Sequence, residues 1–274
     1  MMHKNFVILF AVLAEAVIGT LTLQPERLEH GTPVNSNEFP FMAAIMKGDN
    51  TFHCNAVLIT QQFLLTTASC LLIQKSDLPI TVVTGTNNFY RGGERHTIKH
   101  HAILKGRTYN GKNRNKRQWF YDIGIFMLDK PVEINSQQKP IDLIKIPLTK
   151  GTNIKLNTKD LATIVGWGKD KLNKINPDLQ KVMIRIQSNF RCKYWWIFDF
   201  YDHHLCGERR YKEDDGFCAG NDGSAVIYKG ALIGITSHGL GPSCNPGYLI
   251  TISSVYHLKF FIDARLKEFT SYKV

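Results

Sequence analysis

Short apolar runs, each about the length of one β-strand, recur along most of the chain and constrain its fold more than any other feature. The clearest are Phe39–Ile45, Ala56–Ile59, Phe63–Ala68, Ile80–Gly85, Tyr121–Leu128, Ala162–Gly168 and Val182–Ile186. Apolar runs of about four to eight residues between turn-forming residues are typical of strands. Helical spacing occurs instead at the end of the chain, over Ser254–Lys267, where Ser254 is available as N-cap. A chain of 274 residues with this pattern is one large β domain or two ordinary ones.

Residues 1–20 have the composition of a secretory signal peptide. Lys4 supplies a positive charge, Phe6–Ala14 is apolar, and Ala14-Glu15-Ala16 offers small residues around a cleavage site. The apolar run is too short to span a bilayer, and no second run of membrane length follows. We therefore expect a secreted, extracellular protein without a membrane span.

Six cysteines in a secreted chain predict disulfides. Six cysteines allow 15 connectivities, and the sequence alone does not choose among them. Zinc binding is the competing interpretation, but no pair has the Cys-x-x-Cys spacing that is typical of zinc sites. No phosphate loop is present either. We expect neither a metal nor a cofactor.

The chain is basic, with 34 Lys and Arg against 23 Asp and Glu and a net charge of +11. Such a protein is attracted to polyanions, whereas no nucleic-acid-binding motif accompanies the charge. The segment 105–117 concentrates basic residues and contains no acidic one. Its basic residues are Lys105, Arg107, Lys112, Arg114, Lys116 and Arg117. This segment is either a solvated loop or a polyanion-binding loop.

The stretch Cys218–Val226 carries the most specific motif of the chain. It reads Cys-Ala-Gly-Asn-Asp-Gly-Ser-Ala-Val and resembles the Cys-x-Gly-Asp-Ser-Gly-Gly-Pro motif of the chymotrypsin-like serine proteases. The register is fixed by Gly234–Gly239, which begins 12 residues after Asp222 and resembles the family's Gly-Ile-Val-Ser-Trp-Gly. In this register Asp222 stands at the position of the nucleophilic serine, and Ser224 is two residues away from it.

Further motifs of the same family follow in the same order, and the resemblance covers residues 28–267. They are Thr67-Ala68-Ser69-Cys70, Tyr121–Leu128, Gly166-Trp167-Gly168 and the C-terminal helix. The resemblance implies an all-β fold of two six-stranded antiparallel β-barrels with a C-terminal α-helix. It divides the chain into a signal peptide at 1–20, a short pro-segment at 21–27 and a trypsin-like domain at 28–274. The bond Arg27–Leu28 is the candidate cleavage site between the last two.

The same resemblance indicates that the catalytic machinery is incomplete. The family's histidine, aspartate and serine positions hold Ser69, Asp122 and Asp222. A serine hydroxyl does not titrate near neutral pH, so Ser69 cannot replace an imidazole as general base. The former oxyanion hole would consist of Gly220 and Asp222, where a carboxylate opposes the negative charge that must develop. Asn221 is neutral and cannot form the family's activating ion pair. We predict a pseudoenzyme with no catalytic residues.

The resemblance also assigns a former specificity pocket and the disulfides. The pocket positions are Gly216, Phe217, Ser237 and Gly239, and the phenylalanine could fill the pocket. The implied disulfides are Cys54–Cys70, Cys192–Cys206 and Cys218–Cys244. Between the middle two cysteines, the aromatic run 194–201 either packs on the second barrel or forms an exposed binding patch.

The leading functional hypothesis is a secreted, non-catalytic serine protease homologue that binds and modulates an extracellular protease cascade, as in immunity, clotting, venom or saliva. The expected partner of this monomer is an extracellular protein (a protease, its substrate or a cascade component), a polyanion, or both. The alternative is a polyanion- or microbial-surface-binding protein that acts through segment 105–117. A residual or altered hydrolase, with Asp122 and Asp222 as paired carboxylates, is the third hypothesis.

Overall fold

Most of the secondary structure is strand, and the strands form two antiparallel sheets. The computed structural model describes residues 32–48, 50–72, 78–104, 121–145, 161–168, 174–196, 200–209, 222–239 and 249–272. The segment 105–117, the bond Arg27–Leu28 and the signal peptide lie outside these ranges, so the predictions made for them stay predictions.

Within the described ranges, strands follow one another along the chain, with one helix in the second half and another at the C-terminal end. In chain order, the strands are β1 (Thr32–Pro33), β2 (Met42–Lys47), β3 (Thr51–Leu58), β4 (Phe63–Thr66), β5 (Ile80–Thr84), β6 (Glu94–His96), β7 (Ile98–Ile103), β8 (Gly124–Leu128), β9 (Leu161–Gly166), β10 (Gln180–Ile186), β11 (His204–Arg209), β12 (Ala225–Tyr228), β13 (Ala231–Gly239) and β14 (Ile250–Ser254). The helices are α1 (Asn189–Trp196) and α2 (Lys259–Ser271), and Ser69–Leu71 forms a 3-10 turn.

The first sheet has seven strands in the order β6-β5-β2-β3-β4-β8-β7. Every residue of β4 and of β8 is buried. Strands buried on both faces need mostly apolar side chains, which is why these segments lie in apolar runs of the sequence. The polar exception is Thr66 at the end of β4, whose hydroxyl donates to the Asn55 carbonyl. The end strands β6 and β7 carry exposed residues and were not among the predicted runs.

The second sheet closes on itself. Its order is β1-β10-β11-β14-β13-β12-β9, and β10 also pairs with β9 from Gln180↔Gly166 to Arg185↔Leu161. Strands β9 to β14 therefore form a closed six-stranded barrel, and β1 pairs with β10 outside it. The predicted all-β, two-barrel fold with a C-terminal helix is confirmed. Within the described residues, the first sheet is a seven-stranded half-barrel.

The C-terminal helix begins later than the sequence suggested. Ser254, the predicted N-cap, is the last residue of β14, and its backbone N–H donates to the carbonyl of His203. Helix α2 starts at Lys259, and its cap residue Leu258 offers no side-chain hydrogen bond. Sheet pairing therefore outweighs the local capping preference of serine at this position. Along α2, the ring of Phe269 stacks on Phe63 of β4 with centroids 6.3 Å apart, which docks the helix on the first sheet.

Candidate functional site

Asp122 is a buried carboxylate that is held by groups from both sheets. Its Oδ1 accepts a hydrogen bond from the backbone N–H of Ser69 at 3.1 Å, and its Oδ2 accepts one from the hydroxyl of Ser237 at 2.6 Å. The hydroxyl of Ser253 donates to the carbonyl oxygen of Asp122 at 2.8 Å. Ser237 and Ser253 belong to β13 and β14, so the second sheet contacts the first at this point. A carboxylate that is 1% exposed requires such partners.

Ser69 opens the 3-10 turn beside Asp122. Its Oγ lies 2.8 Å from Oγ1 of Thr67, and the backbone N–H of Cys70 donates to the same Oγ1 at 3.2 Å. The disulfide Cys54–Cys70 ties this turn to β3. The group at position 69 is therefore a hydrogen-bonded alcohol. An alcohol does not titrate near neutral pH, so it cannot accept the proton of a nucleophile as an imidazole does.

The backbone at Asp222 is fixed against β3. The Asp222 carbonyl accepts a hydrogen bond from the backbone N–H of Asn55 at 2.9 Å, and the N–H of Gly223 donates to the Thr236 carbonyl at 2.9 Å. Gly223 has a φ of 80°. A Cβ at position 223 would lie 2.1 Å from the carbonyl oxygen of Asn55, so only glycine fits. Asp222 itself is half-buried at the start of the turn into β12.

Asn55 is a site residue that sequence reasoning missed. It lies fully buried in β3, where its Oδ1 accepts from the backbone N–H of Trp167 at 2.7 Å and its Nδ2 donates to the Trp167 carbonyl at 2.9 Å. The same Nδ2 lies 3.4 Å from the Asp222 carbonyl oxygen. One amide thus joins β3, the end of β9 and the turn at Asp222. The signal was an amide directly before the apolar run Ala56–Ile59, because a polar side chain that is buried with such a run implies hydrogen-bond partners.

Ser224 is placed where it cannot meet a substrate. Its side chain is fully buried and packs against Gly166, so closely that a Cβ at position 166 would lie 2.0 Å from the Ser224 Oγ. Among the described residues this hydroxyl has no hydrogen-bond partner. A nucleophilic serine needs both access and a neighbouring base. The burial of Ser224 therefore leaves it without the access that a nucleophile needs.

A cluster of tyrosine and histidine rings lies beside Asp122 and was also missed. The Tyr121 and His203 ring centroids are 4.4 Å apart, His203 and His204 are 4.5 Å apart, and Tyr201 stacks on His203 at 5.6 Å. His204 stands opposite Ser253 in the β11–β14 pairing. The cluster therefore lies beside β14, whose Ser253 hydroxyl donates to the carbonyl of Asp122. Its sequence signal is the His203-His204 pair, which follows the aromatic run 194–201 after one residue, Asp202.

Burial affects the protonation of His257, which lies between β14 and α2. Burial lowers the pKa of His257, although the nearby charge of Asp202 acts in the opposite direction. The Nδ1 of His257 lies 3.0 Å from the hydroxyl of Ser254. The hydrogen bond from Lys193 in turn lowers the pKa of Asp202. His257 is thus neutral at physiological pH, while Asp202 and Lys193 form an exposed ion pair.

The described residues offer no group of three His, Cys, Asp or Glu side chains arranged to hold a metal ion. Within the same ranges, no helix combines the length and the apolar character that crossing a membrane requires.

The structure describes some of the other predicted site residues and not the rest. Cys54–Cys70 and Cys192–Cys206 are bonded in the structure, and Gly239 ends β13. The remaining positions Gly216, Phe217, Gly220, Cys218 and Cys244 lie outside the described residues.

The aromatic run 194–201 is neither wholly packed nor wholly exposed in its described part. Tyr194 is 76% exposed, whereas Phe200 is 8% exposed and Tyr201 is half-buried. Phe190, one helical turn before Tyr194 on α1, is 82% exposed. The two exposed rings share a face of α1, since residues four apart are neighbours on a helix.

The sequence is similar to those of known trypsin-like proteins. The family model described as Trypsin matches residues 29–259. Kallikrein 1-related peptidase b22 of Mus musculus is 30% identical over 252 residues, which cover 88% of this chain and 90% of that protein. The trypsin of Simulium vittatum is 23% identical over 247 residues, which cover 85% of this chain and 92% of that protein.

Solved structures give the same fold. Neuropsin, a serine protease expressed in the limbic system of mouse brain, aligns with a TM-score of 0.72 at 19% identity, covering 86% of this chain and 98% of that one. A mutant of human heparin binding protein (CAP37) aligns with a TM-score of 0.69 at 20% identity, covering 86% and 96% of the two chains. At these identities the alignments establish a shared fold and nothing beyond it.

Proposed function

This chain belongs to the trypsin family of serine proteases, and from that premise we propose that it is a secreted family member that acts by binding and not by hydrolysing peptides. The observation that carries the proposal is the environment of Asp122. Its two carboxylate oxygens accept hydrogen bonds from the Ser69 backbone and the Ser237 hydroxyl, and the side chain at position 69 is an alcohol. The two described disulfides fit an oxidising, extracellular compartment.

The chemistry of the three positions explains the expected loss of hydrolysis. In a triad, an imidazole takes the proton of the nucleophile, and an aspartate orients the imidazole. Ser69 cannot accept that proton, and Asp222 is a carboxylate where the family has a hydroxyl nucleophile. Loss of cooperating triad members costs on the order of 10⁶ in turnover. A negative charge at residue 222 would further oppose the oxyanion of the transition state.

The test is covalent labelling by a fluorophosphonate probe, together with turnover of a panel of fluorogenic peptides. Both are measured before and after cleavage at Arg27–Leu28, with an active trypsin as the positive control. We expect no labelling and no turnover in either form. Labelling or turnover that disappears in the Asp222→Ala or the Ser224→Ala variant would overturn the proposal, because it would identify a working nucleophile.

The proposed partner is an extracellular protein of a protease cascade: a protease, its substrate or another component. The support is the trypsin-like scaffold, in which the buried side chains of Asp122 and Asn55 are held by hydrogen bonds that join the two sheets. The exposed rings of Phe190 and Tyr194 add an aromatic surface of the kind that is enriched at protein interfaces. A protein contact of this type is expected to be only weakly sensitive to salt.

Polyanion binding through segment 105–117 is the second candidate function. Its support is charge: the net charge is +11, and the segment holds six basic residues and no acidic one. By name, one structural neighbour is a heparin binding protein, but its 20% identity lends only the fold. The candidate therefore rests on electrostatic attraction, which weakens steeply as salt rises.

The test is elution from immobilised heparin in a salt gradient. The first variant changes all six basic residues of segment 105–117 to glutamine. The matched control makes the same change in net charge at six exposed basic residues elsewhere. These are Arg95, Lys99, Lys139, Lys145, Arg185 and Lys267. Early elution of the first variant alone supports a localised site, whereas equal shifts of both variants would show that only net charge matters.

A further inference from the structure

A pocket of about 420 Å³ lies on the first sheet's side of the molecule, and neither Ser69, Asp122 nor Asp222 contributes to it. It opens between the segment before β2, the connection from β5 to β6, and Gln137. Phe39, Met42, Asn87 and Arg91 are among its lining residues. Its volume falls in the range of about 300–1,000 Å³ that is typical of small-molecule sites.

The walls of this pocket, which we term the Arg91 pocket, are fixed by short hydrogen bonds. The hydroxyl of Thr86 donates to the Arg91 carbonyl at 2.7 Å, and the Arg91 N–H donates to the Asn88 carbonyl at 2.9 Å. The side chain of Asn87 donates to the carbonyl of Asn35 at 2.9 Å, which joins the two walls. The indole N–H of Trp167 donates to the Asn87 carbonyl at 3.1 Å. The pocket is therefore preformed, which lowers the entropic cost of binding.

The lining combines an apolar part with a polar rim. Met42 is 2% exposed, and the half-buried Phe39 and Pro40 complete the apolar part. Exposed Ser36 and Gln137 add polar groups at the edge. Polar residues and glycines form the rest of the lining, so the pocket offers one apolar wall beside several polar groups. Precisely placed polar groups beside an apolar wall can orient a small organic ligand.

Arg91 supplies a positive charge at the pocket, and no described carboxylate lies within ion-pair distance of it. Glu38, on the neighbouring segment, pairs with Lys181, and Asp178 accepts a hydrogen bond from the side chain of Asn88 at 2.6 Å. No described carboxylate forms an ion pair with Arg91. An arginine without an ion-pair partner is suited to bind a carboxylate, because its guanidinium group can donate two parallel hydrogen bonds to the two carboxylate oxygens.

We propose that the Arg91 pocket binds a small carboxylic acid with an apolar body. The carboxylate pairs with Arg91, and the apolar body packs on Phe39 and Met42. The proposal is independent of the proposed function, because a catalytically active protein with this pocket would bind the same ligand. If the Arg91 pocket binds no carboxylic acid, the proposal that the protein is non-catalytic still stands. If a fluorophosphonate labels the protein, the proposal for the Arg91 pocket still stands.

The probe is 4-phenylbutyrate, titrated into the full secreted chain and followed by saturation-transfer NMR. Two matched ligands separate the contributions: 4-phenylbutyramide lacks the charge, and acetate lacks the apolar body. We expect 4-phenylbutyrate to bind at least about tenfold more tightly than 4-phenylbutyramide, because a charge-assisted hydrogen bond is worth roughly that factor or more. We expect it to bind at least about tenfold more tightly than acetate, because acetate buries almost no apolar surface. Equal binding of the acid and the amide would overturn the proposal.

Two variants and one control localise the site. Arg91→Gln removes the charge, and Gln137→Glu places a carboxylate in the pocket that competes for Arg91. Each is expected to weaken 4-phenylbutyrate binding about tenfold or more. Arg95→Gln changes an exposed arginine of β6 that does not line the pocket, and it should bind like the wild type. The proposal fails if Arg91→Gln and Arg95→Gln bind equally, or if a heparin disaccharide displaces the probe, since that would indicate a polyanion site.

Discussion

Asn55 is a fully buried amide in strand β3, and its hydrogen bonds explain why the chain tolerates it there. Burying an amide without partners is costly, but both ends of this side chain are paired with the backbone of Trp167. In the sequence, the residue directly precedes the apolar run Ala56–Ile59. Its partners could not be predicted, because Trp167 lies 112 positions further along the chain.

Replacing Asn55 by alanine is expected to lower the free energy of unfolding by about 2 kcal/mol or more. The change leaves the N–H and carbonyl of Trp167 buried without partners, and each such group costs about 1–3 kcal/mol. Urea denaturation followed by tryptophan fluorescence measures the loss. The control is Asn35→Ala at an exposed position, where a change within about 0.5 kcal/mol is expected. Equal stabilities of the two variants would show that the Asn55 amide contributes nothing.

Replacing Ser224 by alanine should stabilise the protein by about 1 kcal/mol, because it removes a buried hydroxyl that has no described partner. The melting temperature, measured by circular dichroism, is expected to rise by about 2–4 °C. Ser136→Ala, at an exposed serine, serves as the matched control and should leave the melting temperature unchanged. A fall in melting temperature for Ser224→Ala would mean that the hydroxyl is satisfied in the folded protein.

At the scale of elements, the strands that are buried on both faces are the ones that can be predicted from the sequence. Strands β4 and β8 lie in apolar runs because every side chain in them is buried, so the sequence predicts them. Strand β7 alternates half-buried and exposed residues over Ile98–His101 and holds basic side chains, so it does not stand out as an apolar run. The predicted start of α2 was wrong because Ser254 is engaged in the sheet. A local capping signal cannot report such a tertiary contact.

Strand β6 ends in a buried histidine, His96, which is expected to make stability depend on pH. His96 is 2% exposed, lies 3.6 Å from a carboxylate oxygen of Glu94 and of Asp129, and lies 3.3 Å from the hydroxyl of Thr84. Burial lowers the pKa of His96, although both carboxylates act to raise it and Lys130 acts to lower it. The folded state therefore favours the neutral imidazole, whereas the unfolded chain takes up a proton near pH 6.5.

The free energy of unfolding is thus expected to be constant above about pH 6.5 and to fall as the pH drops below it, by up to about 1.4 kcal/mol per pH unit for one such group. Urea denaturation between about pH 7.5 and pH 5 measures the slope. His96→Gln should reduce the slope without removing it, because His257 also has a lowered pKa. His101→Gln, at an exposed histidine of β7, is the control. An unchanged slope in His96→Gln would refute the assignment.

Helix α2 docks on the first sheet through the ring of Phe269. This ring is 4% exposed and stacks on Phe63, whereas Phe260 on the same helix is 60% exposed. Phe269→Ala is expected to cost about 3 kcal/mol or more, the usual result for a buried phenylalanine, and Phe260→Ala about 0.5 kcal/mol or less. Thermal and urea denaturation of both variants test this. Similar losses for the two would mean that α2 does not dock through Phe269.

At the scale of the whole molecule, the family motifs were enough to predict the fold but not the contacts between the sheets. The hydrogen bonds of Asp122 join residues that are 53, 115 and 131 positions apart. No local pattern contains such information, and the fold class alone does not specify which groups meet. The Arg91 pocket was unpredictable for the same reason. Its walls come from three separate segments, and the asymmetry of its charge emerges only after Glu38 and Asp178 are seen to be engaged elsewhere.

The hydrogen bonds of Asn55 and Asp122 across the two sheets bear on how the molecule resists proteolysis. Because each sheet satisfies buried polar groups of the other, neither can open without exposing the partner's unmet donors and acceptors. The two halves should therefore melt together, as a single calorimetric peak. A protein that unfolds only as a unit offers proteolytic enzymes few partly unfolded forms to cut. Its rate of proteolysis is then limited by complete unfolding of the whole molecule.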